Sequence, residues 1–338
     1  MGSRFSGPAA GVVLVVVAAS SFVSGPPAHG GGPRRVVMVS VDGLMPDYYR
    51  RADALGLKVP TLRRLMREGA WASGVVGVLP SVTYPSHTTL ITGVSPRVHG
   101  IAGNRIFDPL ERSNGAWHWF ASDVKVPSLV SAARARWLTT ASVSWPVSVG
   151  IGSDWNMPEF WRPNSRHEFD VKLFKAVSTP GLVDAVEISR GRAVAWPLEE
   201  ADRVDAALFI LSVHRPHLLL LHIIDTDAAQ HDHGPMSPQA LAAVEAADAN
   251  LGRVLDAALQ GGGETLFAVV SDHGFLPVTR TLRPNVLLRE AGLITMGADG
   301  TPADWRASFD ANGGSAALRL KDPGDKEALA RVRALFEP

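Results

Sequence analysis

The stretch RRVVMVSVDG, residues 34–43, decides the fold. Its centre is a short apolar run, mostly β-branched, closed by an acid and a glycine. Such a run, bounded by turn chemistry, reads as a strand buried in a parallel sheet. Two more segments have the same character, HLLLLHIIDTD (217–227) and ETLFAVVSDHG (264–274). Helical patterns lie between them. PTLRRLMREGA (60–70) is amphipathic and ends at Gly69. The segment 237–263 opens with Ser237 as N-cap and Pro238 at the first helical position, and stops at a glycine run. Strands alternating with helices predict an α/β fold with a mostly parallel sheet covered on both faces.

Asp42, Asp227 and Asp272 each fall just beyond the apolar part of one of these strands. Ligands of open α/β sheets bind outside the carboxyl ends of the strands, so three strands aim carboxylates at one edge. One such Asp is more often a turn residue; three, two of them with a nearby His, point to a site. Asp227 and His231 are four apart and share a face if the segment is helical, while Asp272 and His273 are adjacent. These five N and O ligands suffice for two hard or borderline cations, a recurring device in phosphoryl transfer.

That chemistry needs a nucleophile, and VLPSVTYPSHTTLITG (78–93) is crowded with hydroxyls. Thr83 stands at an apparent helix start, where backbone N–H groups and the helix dipole favour an alkoxide and a bound phosphate. Ser86, Thr88 and Thr89 are assigned to capping and the first helical turn, and Ser81 to the turn before it.

Composition narrows the rest. The 338 residues suffice for one large α/β domain or two ordinary ones. Lys plus Arg and Asp plus Glu balance at 33 each, and no basic patch that would serve nucleic acid or an anionic membrane is visible. There is no Cys, so any metal must be held by His, carboxylates and hydroxyls. Arg4 followed by an apolar run at 11–23 reads as a signal peptide over residues 1–30, with a retained anchor as the alternative. Export to the periplasm or outside the cell is therefore expected, with a single catalytic domain over 31–338. Residues 105–200 are irregular and rich in Trp, and read as a lid region whose Trp side chains mostly pack a satellite core.

VSVDGL, PSVTYPSHTTLITGVSPRVHGIAGN, DTDAAQHDHGP and SDHGF, in this order, resemble the type I phosphodiesterase/nucleotide pyrophosphatase family of the alkaline phosphatase superfamily. The resemblance covers about residues 34–280, and SWPVSVG with MPEFWR is similar to the bacterial branch. It implies a three-layer α/β/α sandwich with two Zn2+ ions. Asp42, Thr83, Asp272 and His273 would hold one zinc; Asp227, His231 and a further His would hold the other. Thr83 matches the family nucleophile, which forms a covalent phospho-threonine. Asn104 matches a donor to a phosphoryl oxygen, and Tyr84 an aromatic that stacks on a nucleobase. His87, His99 and His233 are read as structural or ligand-orienting residues, and His222 as a satisfied core histidine.

One part of the pattern breaks. The family's third ligand to the second zinc is a His in a C-terminal His-Gly motif, and no His follows His273 here. The expectation is a C-terminally truncated chain, with a sheet edge missing and the second metal left with Asp227 and His231. The function expected is an exported hydrolase of phosphate diesters or nucleotide pyrophosphate bonds, acting on a small phosphorylated substrate. A phosphomonoesterase or phosphonate hydrolase is the close alternative, and an impaired ligand-binding homologue the alternative from another class. A sulfatase is disfavoured, because that branch uses a modified Cys or Ser where this chain has Thr83.

Overall fold

The stretch at 34–43 forms β1 (Arg35–Val41) of a computed structural model that describes residues 34–162, 167–260 and 262–337. The chain continues through α1 (Pro46–Arg50), α2 (Pro60–Glu68), α3 (Thr83–Thr92), α4 (Pro96–His99) and α5 (Leu129–Arg134). Then come β2 (Thr140–Val143), β3 (Trp155–Met157), α6 (His167–Val177), α7 (Leu182–Arg190) and α8 (Glu200–Val213). β4 (Leu218–Ile223), α9 (Asp225–His233), α10 (Pro238–Gln260) and β5 (Thr265–Val270) complete the main body. The remainder is α11 (Pro284–Glu290), β6 (Ile294–Met296), β7 (Pro302–Trp305), β8 (Ala307–Asn312), β9 (Ser315–Leu320) and α12 (Lys326–Phe336). The expected signal segment, residues 1–30, lies outside the described residues. No helix among the described residues is long and apolar enough to cross a membrane.

The central sheet has the order β3-β2-β4-β1-β5, and all its pairs are parallel. Alternation along each strand divides two cores. Val37, Val39 and Val41 of β1 and Leu219, Leu221 and Ile223 of β4 enter the larger core, which α2, α8 and α10 cover. Met38, Leu218 and Leu220 face the other way, toward Ile91 of α3, Val130 of α5 and Trp145. Helices on both faces make the three-layer α/β/α arrangement. The same period of two carries Ser40 and Asp42 on from Met38, and His222 on from Leu220, onto the α3 side of the sheet.

The expected helices form. Ser237 Oγ accepts from the Ala240 N–H at 3.2 Å, capping α10. Val59, at the N-cap of α2, gives no side-chain cap; Asp248 of α10 accepts instead from the N–H groups of Thr61 (2.9 Å) and Leu62 (2.7 Å). The middle is more regular than its sequence suggests. β2 and β3 belong to the central sheet, and α6 and α7 follow them. Trp119 packs with Tyr84, Ile101, Val147 and Val149, whereas Trp137 is 95% exposed.

Residues beyond 284 build a small core of their own from Leu288, Leu293, Ile294, Ala307, Ala328 and Val332. Its β8–β9 hairpin is antiparallel and turns at Asn312–Ser315. That tip touches the main body beside the start of α3. A Cβ on Gly103 would sit 2.5 Å from Asn312 Oδ1, and one on Gly313 would sit 3.2 Å from Val82.

Candidate metal centre

Three adjacent strands, β4, β1 and β5, each deliver a carboxylate to the same edge. Asp42 follows β1 directly, and its N–H donates to Ile223 O at 2.9 Å, extending the parallel pairing by one residue. Gly43 then turns with φ 67°, and its N–H donates to Asp272 Oδ1 at 3.1 Å. Gly is required there twice over, since a Cβ would also lie 2.7 Å from the Phe275 ring. Asp227 sits in the first turn of α9 rather than at the bare strand end, and that helix brings His231 Nε2 to 3.5 Å from Asp227 Oδ1.

Each carboxylate keeps one oxygen without a hydrogen-bond partner among the described residues: Asp42 Oδ1, Asp227 Oδ1 and Asp272 Oδ2. All three surround His273 Nε2, at 3.3, 3.8 and 3.3 Å respectively. Thr83 Oγ1 is 3.4 Å from the same nitrogen. Donor atoms of Asp42, Asp227 and His273 lie within 4.8 Å of one another. Three buried carboxylates gathered around a single imidazole nitrogen carry more negative charge than that ring can offset, and a bound cation relieves it. Burial, then the Asp272 charge, raises Asp42 well above the ordinary carboxylate range. Asp227 is raised by burial first. Burial also pushes Asp272 up, but the fields of His87, His273 and His222 outweigh it and hold this carboxyl below its usual value. An all-N/O donor set of this kind fits zinc or a similar divalent ion.

Thr83 is the first residue of α3, behind the extended Val82. The hydroxyls that follow do not cap this helix. Thr88 Oγ1 donates back to Tyr84 O at 2.8 Å, Thr92 Oγ1 to Thr88 O at 2.7 Å, and Thr89 Oγ1 pairs with His99 Nε2 at 3.0 Å. Asn104 takes the capping role instead: its Oδ1 accepts the Tyr84 N–H at 2.9 Å. The phosphoryl-donor role that the resemblance implies would fall to its Nδ2, the other end of the same amide.

Tyr84 does not match its expected role. Its side chain is fully buried, donates its hydroxyl to Glu159 Oε1 at 3.0 Å and meets Trp117 edge-on at 5.1 Å. A ring enclosed in this way offers no face to a nucleobase. The residue's polar tip drew it inward, because Glu159 supplies the partner a buried phenol needs.

The histidines also sort themselves. His87 is buried, and its Nδ1–H donates to Thr83 O at 2.8 Å; burial and then the His222 charge press it down to about 3. His231 is largely exposed, and His233 is exposed at the end of α9. His222 is buried and satisfied, as expected, but by functional neighbours: Asp42 Oδ2 at 3.0 Å from Nε2 and Glu159 Oε2 at 3.1 Å from Nδ1. Burial opposes its charge, yet the hydrogen bonds to those two carboxylates raise it to about 10. Glu159 lay inside the MPEFWR motif without being singled out; no local pattern marks it, since both its partners come from other segments.

Comparison with known proteins agrees with this geometry. The family model described as type I phosphodiesterase / nucleotide pyrophosphatase matches residues 36–337. Ectonucleotide pyrophosphatase/phosphodiesterase family member 1 of Rattus norvegicus is 27% identical over 243 residues, covering 70% of this chain and 24% of that protein. The chain thus spans about a quarter of the length of that curated relative. Among solved structures, an inactive murine ectonucleotide pyrophosphatase/phosphodiesterase 5 in complex with AMP superposes with a TM-score of 0.60 at 18% identity, over 90% of this chain and 71% of that one. Phosphonoacetate hydrolase of Sinorhizobium meliloti, in complex with phosphonoacetate, gives a TM-score of 0.60 at 22% identity, over 96% and 77% of the two chains. At these identities the superpositions speak for the fold. The family match, the fold and the convergent donors lead to one conclusion: the chain belongs to the type I phosphodiesterase/nucleotide pyrophosphatase family of the alkaline phosphatase superfamily.

Proposed function

We propose that this chain hydrolyses phosphate diesters or nucleotide pyrophosphate bonds through a covalent phospho-Thr83 intermediate at a centre of two zinc ions. The observation that carries the reading is the position of Thr83 Oγ1, 3.4 Å from His273 Nε2 within the ring of unpaired carboxylate oxygens. Asp42, Asp272, His273 and Thr83 would hold one zinc. Asp227 and His231 would contribute to holding the other. When bound, the metal supplies positive charge that lowers the pKa of the Thr83 hydroxyl and neutralises charge on the phosphoryl oxygens.

Thr83 Oγ, once deprotonated, forms a bond to phosphorus as the bond to the leaving oxygen breaks. Water then attacks phosphorus, the Oγ–P bond breaks, and Thr83 recovers its proton. Asn104 Nδ2 donates to a non-bridging oxygen throughout, held in place by the Tyr84 N–H on its other end. His87 fixes the Thr83 carbonyl and so the start of the helix. Export rests on the apolar run at 11–23 and is part of the proposal.

A phosphonate or monoester substrate is the second reading, favoured by the shared fold with phosphonoacetate hydrolase. Comparing kcat/KM of the zinc-loaded protein for an aryl phosphodiester, its monoester and phosphonoacetate separates the two. The diester is expected to lead, and a clear preference for either other substrate overturns the first reading.

A further inference from the structure

We propose that Glu159 is a positioning residue that holds the metal-ligand carboxylate of Asp42 and the Thr83 end of α3 in one geometry. The inference rests on the metal-centre reading above. Glu159 lies just beyond β3, on the far side of the sheet order from β1, yet its side chain reaches the site and is only 12% exposed. Its two oxygens have separate duties. Oε2 lies 3.1 Å from His222 Nδ1, and His222 Nε2 lies 3.0 Å from Asp42 Oδ2. Oε1 accepts from the Tyr84 hydroxyl at 3.0 Å, and the Tyr84 N–H in turn holds Asn104 Oδ1 at 2.9 Å. One carboxylate thereby links a metal ligand to the residue beside the nucleophile and to the phosphoryl donor.

The chemistry requires a carboxylate in this place. His222 Nδ1 faces only acceptors, Glu159 Oε2 and Ser144 O at 3.2 Å, so it carries a proton. The Tyr84 hydroxyl donates its proton to Glu159 Oε1, since a carboxylate oxygen can only accept. Glu159 must accept from two donors at once. An amide of the same size has a single acceptor oxygen and cannot serve both. On the His222 branch the consequence is chemical selection: with Oδ2 of Asp42 engaged, Oδ1 is left bare and aimed at the cluster. Hydrogen bonds that orient a ligand carboxylate typically matter by about 10–100-fold in metal affinity or activity.

The test compares wild type, Glu159→Gln and Tyr84→Phe, each stripped of metal and titrated with zinc against a chromophoric chelator, alongside melting of the metal-free proteins. Glu159→Gln is expected to weaken zinc binding and lower kcat by about 10–100-fold, with KM changed by less than about 3-fold. Tyr84→Phe breaks only the other branch and is expected to leave zinc affinity within about 2-fold of wild type. Adding Glu159→Gln to His222→Gln should cost almost nothing further, because both cut the same link. Unchanged zinc affinity in Glu159→Gln, equal loss in Tyr84→Phe, or losses that simply multiply in the double variant overturn the proposal. If Glu159→Gln does not fold, His222→Gln reads the same link from its other end, and unchanged zinc affinity there overturns it equally. Wild type that binds no zinc would instead sink the metal-centre reading itself, so the two failures are distinct.

Discussion

Asp42 gives each of its oxygens a different task, one to His222 and one to the cluster, and that division was only half legible in the sequence. An acid at a strand end followed by Gly43 could be read, because parallel sheets present ligands there. The same logic marked Asp227 and Asp272, and the adjacency of His273 to Asp272 needed no tertiary knowledge. Glu159 and the enclosure of Tyr84 were not legible, because their partners come from distant segments and depend on which way each strand turns its side chains. A residue-scale consequence is that His273→Ala should weaken zinc binding by more than about 10-fold, since it removes the nitrogen at the centre of the cluster. Metal content after dialysis checks it. A second consequence concerns His99, which burial lowers from 6.5 to about 4. Its folded-state value lies below its unfolded one, so the native state binds fewer protons. The stability this provides is complete above about pH 6.5 and is lost as pH falls toward 4. Urea midpoints measured from pH 7.5 down to 5 should fall, and His99→Gln should flatten part of that slope.

At the scale of elements, long apolar runs and long amphipathic periods were the readable ones. β1, β4, β5, α2 and α10 appear where their patterns place them. β2 and β3 were missed for a physical reason: they are only four and three residues long, and the α3-facing positions of β2 are polar, Thr140 and Ser142. A short strand with polar residues on a buried face leaves no hydrophobic signature. α2 depends on a cap from another helix, because Asp248 accepts from both Thr61 and Leu62. Asp248→Ala should therefore cost about 1–2 kcal/mol in urea unfolding, the usual magnitude for a lost N-cap. Leu220 is fully buried at the centre of β4. Leu220→Ala should cost about 2–5 kcal/mol, and a loss below 1 kcal/mol would mean that the core under α3 relaxes freely.

For the whole molecule, the parallel sheet acts as a frame that brings β4, β1 and β5 side by side, and Asp42, Asp227 and Asp272 gather beyond their carboxyl ends. In the separate core of residues 284–337 the short antiparallel strands mix apolar and charged residues, which hides them from a period-two reading. Its hairpin tip nonetheless ends beside Val82 and Gly103, next to Thr83. A centre of three unpaired carboxylate oxygens should bind metal at the expense of the unfolded state. Zinc at 100 times its Kd is then expected to stabilise the fold by roughly 2.7 kcal/mol, read as a rise in Tm that a chelator reverses. The central claim is that Thr83 carries the phosphoryl group. The most direct measurement is peptide mass spectrometry of the protein quenched in acid during turnover of an aryl phosphodiester. A phosphoryl or phosphodiester adduct on the peptide containing Thr83, absent from Thr83→Ala together with a loss of turnover on the order of 10³-fold or more, is the predicted result. Turnover that persists in Thr83→Ala, or an adduct on any other residue, would contradict it.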